Sequence, residues 1–452
     1  MIKFLLSLAL VASPVPADAP RHLDWQPCPD AGPVPIQCAD LGVPLAEPGG
    51  RTITLKVARL PATGPKRGTV LVNFGGPQGG QIASLRSRPQ IFDAIRRSMD
   101  VVTWDPRGYP GLSDPVLDCD WSKVRTPPFP ADQAEFDRLA ADNRARADRC
   151  RASDPELFDH MDSAGDARDA DRIRQALGEN RMNFIGTSYG GVIAQAYARQ
   201  FPERVRTLYI DGTGNHSARD WPRELDATAR DYERYLRRFF DWAGPGTEQR
   251  WQALMAKADA APIPAGTARF DGTQLRALGF QKVTLGPEAW PTLVNAITAA
   301  EAGDASGFAG PGTDPYPGVP GGGVKECLDF PRARDHAEIA RGVGRLNRVA
   351  PNVGASFPLA WHLPTTCAGW PAPATNPPAP LPAAVPPMLG AGTWLDFGST
   401  ARALATVPGS RAIHHDGPGH NLFAAMTNPC VIDHVSRYVT ERVLPPQNTQ
   451  CD

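Results

Sequence analysis

Ser188 stands among glycines in NFIGTSYGGVIAQAYARQFP, residues 183–202. Gly186-Thr187-Ser188-Tyr189-Gly190 fits G-x-S-x-G, in which a serine on a sharp strand-to-helix turn offers its hydroxyl to an acyl carbon. The glycines are a steric requirement, because side chains flanking such a turn would collide with neighbouring backbone. The helix that follows turns its positive N-terminal end toward any developing oxyanion. Short glycine-serine strings are common in ordinary turns, so the surroundings decide: NFI before the motif reads as a strand, and VIAQAYARQF after it as a helix.

A serine nucleophile needs a base and an acid to orient that base, which in this architecture follow in the order serine, acid, histidine. His420, in HHDGPGHNLF, lies on a glycine-rich turn after the candidate strand Arg411 to His414, where the base is expected. His414 and His415 are rivals, but both precede the loop and fit the alternation of a strand. For the acid, MLGAGTWLDF sets Asp396 at the end of an apolar strand, with room for one helix (Thr400 to Thr406) and one strand before His420. Asp211, in YIDG, is an alternative acid at the end of the preceding strand. Asp416, only four residues before His420, is expected to shape that loop. Two N–H donors must meet the tetrahedral oxyanion. Tyr189 is expected to supply one, and the loop Asn73-Phe74-Gly75-Gly76-Pro77-Gln78-Gly79-Gly80 the other, through Gly76. This loop lacks the lysine and hydroxyl residue of a phosphate-binding P-loop.

Such groups need rigid elements to hold them. Thr69 to Phe74, Val101 to Trp104, Met182 to Ile185, Val205 to Ile210 and Met388 to Leu389 read as strands buried on both faces. Ala164 to Leu177 and Gly191 to Arg199 read as helices, and their alternation with the strands predicts a parallel sheet covered on both sides. The alternation breaks between about Thr213 and Val385. There Leu225, Ala229, Tyr232, Leu236 and Phe239 recur every three or four residues, as on an amphipathic helix. GDASGFAGPGTDPYPGVPGGG and PAPATNPPAPLPAAVPP follow as connections, so this stretch is expected to be a mostly helical insertion, or lid. The expected division is 1–19 signal peptide, 20–212 first part of the core, 213–384 lid and 385–452 last part of the core.

The 452 residues carry a net charge of −1 without basic or acidic runs, which gives no footing for nucleic acid. Lys3, the apolar stretch Phe4 to Ala12 and the small residues Val15 and Ala17 form a secretory signal pattern, too short to span a bilayer. No later stretch is apolar enough for a membrane span, so an exported, secreted or periplasmic protein is expected. Eight cysteines, an even number, suggest disulfides. Many pairings are open; joining sequence neighbours would link Cys28 with Cys38, Cys119 with Cys150, Cys327 with Cys367 and Cys430 with Cys451. No zinc-type spacing occurs, so no metal and no cofactor are expected. The oligomeric state stays open.

Taken together, NFGGPQGG, DVVTWDPRGYPGLSDPVLDC, the run from DARDADRIRQAL to QFPERV, YIDG, ECLDFPRARD, CAGWP and GPGHNLF resemble the secreted tripeptidyl aminopeptidase branch of the α/β-hydrolase fold, related to prolyl aminopeptidases. The resemblance implies an α/β-hydrolase fold and a metal-free serine peptidase acting at free N-termini. It also implies Ser188 as nucleophile, Asp396 as acid, His420 as base, Gly76 and Tyr189 as oxyanion donors, and the pairs Cys119 with Cys150 and Cys327 with Cys367. Two positions depart from the family. Phe74 replaces a proline, which is expected to alter the substrate channel, and Asp396 is followed by FGSTARAL in place of threonine-proline. An aminopeptidase must also hold a substrate ammonium, and Glu224, Asp226 and Glu233 are the candidate lid carboxylates. Esters of small molecules are the alternative substrates, since the same catalytic parts cut them.

Overall fold

The computed structural model describes residues 23–452 except 30–31, 33, 77–78, 122–123, 126, 310–317 and 320–322. The expected signal segment, 1–19, and part of the glycine-rich connection therefore lie outside the described residues. A nine-stranded sheet organises the chain. Its strands are β1 (Gln26–Pro27), β2 (Gln37–Pro44), β3 (Thr52–Leu60), β4 (Gly68–Asn73), β5 (Met99–Trp104), β6 (Met182–Thr187), β7 (Val205–Asp211), β8 (Leu389–Gly392) and β9 (Arg411–His414). Across the sheet they run β1-β2-β3-β5-β4-β6-β7-β8-β9. From β5 to β9 all neighbours are parallel, while β1, β2 and β3 add an antiparallel edge beside β5.

The parallel strands read as unbroken apolar runs because helices cover both faces. Every residue of β5 and β6 is buried. Helices Ser163–Ala176 and Tyr189–Gln200 pack on one face, and Pro429–Glu441 on the other. β3 was not among the expected strands, although Thr52-Ile53-Thr54-Leu55-Lys56-Val57 buries alternate residues, the period-2 pattern of a half-covered strand.

Between β7 and β8 the chain leaves the sheet for a run of helices that includes Trp221–Ala243, Thr247–Ala260, Gly272–Val283, Trp290–Glu301, Val324–Asp329, His336–Val349 and Pro358–Thr366. Most of them close around their own apolar cluster, in which Ala229, Leu236, Phe239, Trp251 and Leu293 are fully buried, while helix Val324–Asp329 packs into the core under the sheet through Val324, Cys327 and Leu328. Leu225 and Tyr232 pack partly buried against the insertion's own cluster, so the three-four spacing marks the inward stripe of helix Trp221–Ala243. One cation ties this layer to the sheet. Arg402, on helix Phe397–Ala405, donates to Glu224 at 2.7 Å and to Asp231 at 2.6 Å.

The eight cysteines form four disulfides between sequence neighbours, Cys28–Cys38, Cys119–Cys150, Cys327–Cys367 and Cys430–Cys451. Cys327–Cys367 staples helix Val324–Asp329 to the end of helix Pro358–Thr366, closing a loop of unfolded chain that would otherwise carry more entropy. Among the described residues, no helix is long and apolar enough to cross a membrane.

Candidate active site

The C-terminal ends of β4, β6, β7 and β8 meet at one point. β6 ends at Thr187, and Ser188 follows with φ 54° and ψ −126°, a left-handed backbone seldom adopted by a residue with a Cβ. Strain of this kind persists only where the surroundings over-determine it, and here they do. A Cβ on Gly186 would lie 2.3 Å from the Gly190 carbonyl oxygen, and one on Gly190 would lie 2.2 Å from the Asn73 carbonyl oxygen. The glycines of the motif thus let the turn close on itself and let β4 lie against it. Gly190→Ala is expected to lower stability by about 1–3 kcal/mol through overpacking, read as a fall in the urea midpoint with an unchanged slope.

His420 bridges the serine and the acid. Its Nε2 lies 3.0 Å from Ser188 Oγ, and its Nδ1 lies 2.7 Å from Asp396 Oδ2. A carboxylate can only accept, so the imidazole proton sits on Nδ1 and Nε2 is left as the acceptor facing the serine hydroxyl. Asp396 is buried, and its other oxygen accepts the Thr393 N–H at 2.8 Å, which fixes its plane. Burial by itself lowers the imidazole pKa. The hydrogen bond and charge of Asp396, with a further contribution from Asp211, outweigh it and hold His420 above the ordinary histidine value. The FGSTARAL departure leaves this geometry intact, because Asp396 sits directly before helix Phe397–Ala405 as its cap residue.

The rival residues have other partners. Asp211 is buried beside Asp396, accepts the Phe423 N–H at 2.7 Å, and is pushed by burial and the Asp396 charge up to about 7. Asp416 accepts from Trp394 Nε1 and Arg238, which shapes the loop before His420. The His414 ring packs on Phe397, and His415 Nδ1 contacts the Cys451 carbonyl.

The glycine loop after β4 presses on the serine turn. Gly75 and Gly76 have φ of 88° and 125°. A Cβ on Gly75 would lie 2.8 Å from the Tyr189 nitrogen. Gln81 pins the loop by accepting the Phe74 N–H and donating to the Gly75 carbonyl, while Asn73 Oδ1 accepts the Gly75 N–H. Gly76 and Tyr189 both line the cavity beside Ser188. Phe74 does not line it. Its ring meets Phe92 edge to face, 6.2 Å between centroids, so the expected effect of this residue on the substrate channel is corrected: it packs toward the core.

The cavity holds about 530 Å³, within the usual range for small-molecule and peptide sites. Its floor is the Ser188–His420–Asp396 constellation, and its walls come from the helical insertion, including Tyr232, Phe280, Phe330 and Leu359. The three lid carboxylates expected to meet a substrate amine are corrected by their positions, since none lines this cavity. Glu224 is held by Arg402 and Asn215, Asp226 pairs with Arg345 at 2.7 Å, and Glu233 accepts from the Asn352 and Val353 N–H groups. The insertion supplies a different carboxylate, Glu326. It lies within the quoted ECLD stretch, where nothing in the local pattern distinguishes it from other insertion carboxylates.

Tyr189 also joins the serine turn to the insertion. Its hydroxyl donates to Asp329 Oδ2 at 2.7 Å, and Asp329 further accepts from Ser163 and Asn376. Among the described residues, Cys430, His434 and Cys451 form a group of metal-ligating types, but the two cysteines are joined in a disulfide and offer no thiolate.

Residues 68–262 match the family model described as alpha/beta hydrolase fold, and residues 357–451 match the one described as TAP-like protein. The chain is an α/β-hydrolase. This α/β-hydrolase is 29% identical to the tripeptidyl aminopeptidase of Streptomyces coelicolor, over 92% of its own length and 83% of that protein's. It is 25% identical to the serine protease Hip1 of Mycobacterium tuberculosis, over 95% of its own length and 91% of the relative's. A protein of the same organism named carboxylesterase B is 28% identical, over 92% and 86%. The α/β-hydrolase is a serine hydrolase.

Proposed function

We propose that this serine hydrolase is an exported exopeptidase that cleaves peptide bonds near free N-termini through an acyl-enzyme on Ser188. The observation that carries the reading is the hydrogen-bonded run from Asp396 through His420 to Ser188 at the floor of a cavity walled by the insertion. Ser188 Oγ attacks the scissile carbonyl as His420 Nε2 takes its proton, and the oxyanion turns toward the Tyr189 and Gly76 N–H groups. The imidazolium then gives its proton to the leaving amine, which departs with the C-terminal part of the substrate. Water, deprotonated by the same imidazole, frees the N-terminal acyl group. The insertion, residues 213–384, acts as the lid that limits the acyl side to a short peptide. Export is supported by the N-terminal signal pattern and by four disulfides, which persist in oxidising compartments.

A panel of tripeptidyl and aminoacyl anilides, their N-blocked counterparts and simple acyl esters tests the assignment. Preferred turnover of free-amino anilides is expected, with the acid limb of kcat/KM above about pH 6.5, because the base must be neutral and its pKa is raised. Ester turnover without cleavage of any free-amino peptide overturns the peptidase reading. It favours the esterase alternative, which the carboxylesterase-named relative supports.

A further inference from the structure

The cavity carries a marked imbalance of charge. Among the described residues, no lysine or arginine lines it, and its two carboxylates are Asp396 and Glu326. Asp396 is committed to His420 and the Thr393 N–H. Glu326 is not committed in this way: its Oε2 is shielded from water and has no hydrogen-bond partner among the described residues. The neighbouring cation is not its ion-pair partner, because Lys325 points to Asp166 in an ion pair buried on both sides. Burial, reinforced by the charge of Asp329, pushes the Glu326 carboxyl up to about 7.

A carboxylate oxygen out of water without a partner is costly, and the cost falls when a cation that can donate hydrogen bonds arrives. This carboxylate is also held in place. Cys327, the next residue, is bonded to Cys367, and Asp329, one helical turn on, is fixed by Ser163, Asn376 and the Tyr189 hydroxyl. Tyr189 follows the nucleophile, so the anchor and the attacking oxygen are tied into one rigid unit. Such a spacing can measure the distance from a substrate's amino terminus to its scissile carbonyl.

We propose that Glu326 is the anionic anchor for the protonated α-amine of a short peptide substrate, and thus the residue that makes the site select free N-termini. The inference rests on the exopeptidase reading above. It assigns to Glu326 the task for which Glu224, Asp226 and Glu233 are the wrong residues.

The test compares kcat and KM for a free-amino tripeptide p-nitroanilide and its N-acetylated twin, in the parent and in Glu326→Gln and Glu326→Asp. The parent is expected to favour the free amine. Glu326→Gln should reduce that preference by about tenfold or more, chiefly through KM, as for loss of one partner of a desolvated charge pair. Glu326→Asp keeps the charge and should retain more of the preference. Retention of the full preference by Glu326→Gln overturns the proposal, as does equal loss in the Asp and Gln variants or an equal loss on both substrates. Near-UV circular dichroism reports folding. If the Gln variant does not fold, the Asp variant decides: a KM rise confined to the free-amine substrate supports the proposal, and a rise on both overturns it. Failure of the exopeptidase reading is seen separately, as a parent enzyme that turns over acyl esters and neither anilide.

Discussion

Ser188→Ala is expected to lower kcat by a factor on the order of 10⁶ on every substrate the parent turns over, with KM little changed. The nucleophile is the one group in the constellation that forms the covalent intermediate, so no neighbour can take over its step. Steady-state anilide hydrolysis measures the loss. Fluorophosphonate labelling provides an independent check, since the parent should take up one label and the variant none. Retention of labelling by Ser188→Ala would show that another residue is the nucleophile. The backbone supplies a second readout. Alanine at φ 54° keeps the strain of the turn, whereas Ser188→Gly relieves it and should be more stable than the alanine variant by about 1 kcal/mol. An enzyme that gains stability when its nucleophile becomes glycine has held that strain for the sake of presenting the hydroxyl.

Asp396→Asn should lower kcat by roughly ten-thousandfold, because an amide in place of the carboxylate favours the wrong imidazole tautomer while leaving the geometry in place. Asp211→Asn, at the competing carboxylate, should cost less than about tenfold, since its oxygen binds the Phe423 N–H and not the imidazole. The two substitutions also separate in stability. Burial and the Asp396 charge push the Asp211 carboxyl up to about 7 in the fold, against about 3.9 in an unfolded chain, so in the fold it stays protonated until the pH approaches about 7. Its contribution is therefore fully present below about pH 4 and is lost as pH rises through about 7. Asparagine removes that loss. Asp211→Asn should thus be stabilised relative to the parent at pH 8, by on the order of a few kcal/mol, and not at pH 4. Urea unfolding at the two pH values measures the difference, and a variant with the parent's pH dependence would refute the assignment of that titration to Asp211.

How legible the fold was depended on burial. The runs TVLVN and MNFI lie within β4 and β6, which are covered on both faces and so carry a continuous apolar signal. The amphipathic stripe of helix Trp221–Ala243 was equally plain. The antiparallel edge β1, β2 and β3 went unread because β2 and β3 alternate buried with less buried residues and carry no continuous apolar run. The placement of Phe74 was misread for a different reason. A residue bordering a catalytic loop can turn toward the channel or toward the core, and its packing against Phe92 is decided by a helix distant from the loop motif.

The amino-acid sequence by itself determined the order and spacing of serine, aspartate and histidine, the glycines that permit the turn, and the strand-helix rhythm that sets the sheet. All of these follow from local sterics and from period. Only the tertiary structure decided which carboxylates face the cavity. Local pattern treats the acidic residues of the insertion alike, but their roles are fixed by which cation or N–H group the packed fold brings to each. Arg402 takes Glu224, Arg345 takes Asp226 and the Asn352 backbone takes Glu233. Glu326 is left facing the cavity because Lys325, its neighbour in the chain, turns instead to Asp166, a partner 159 residues away.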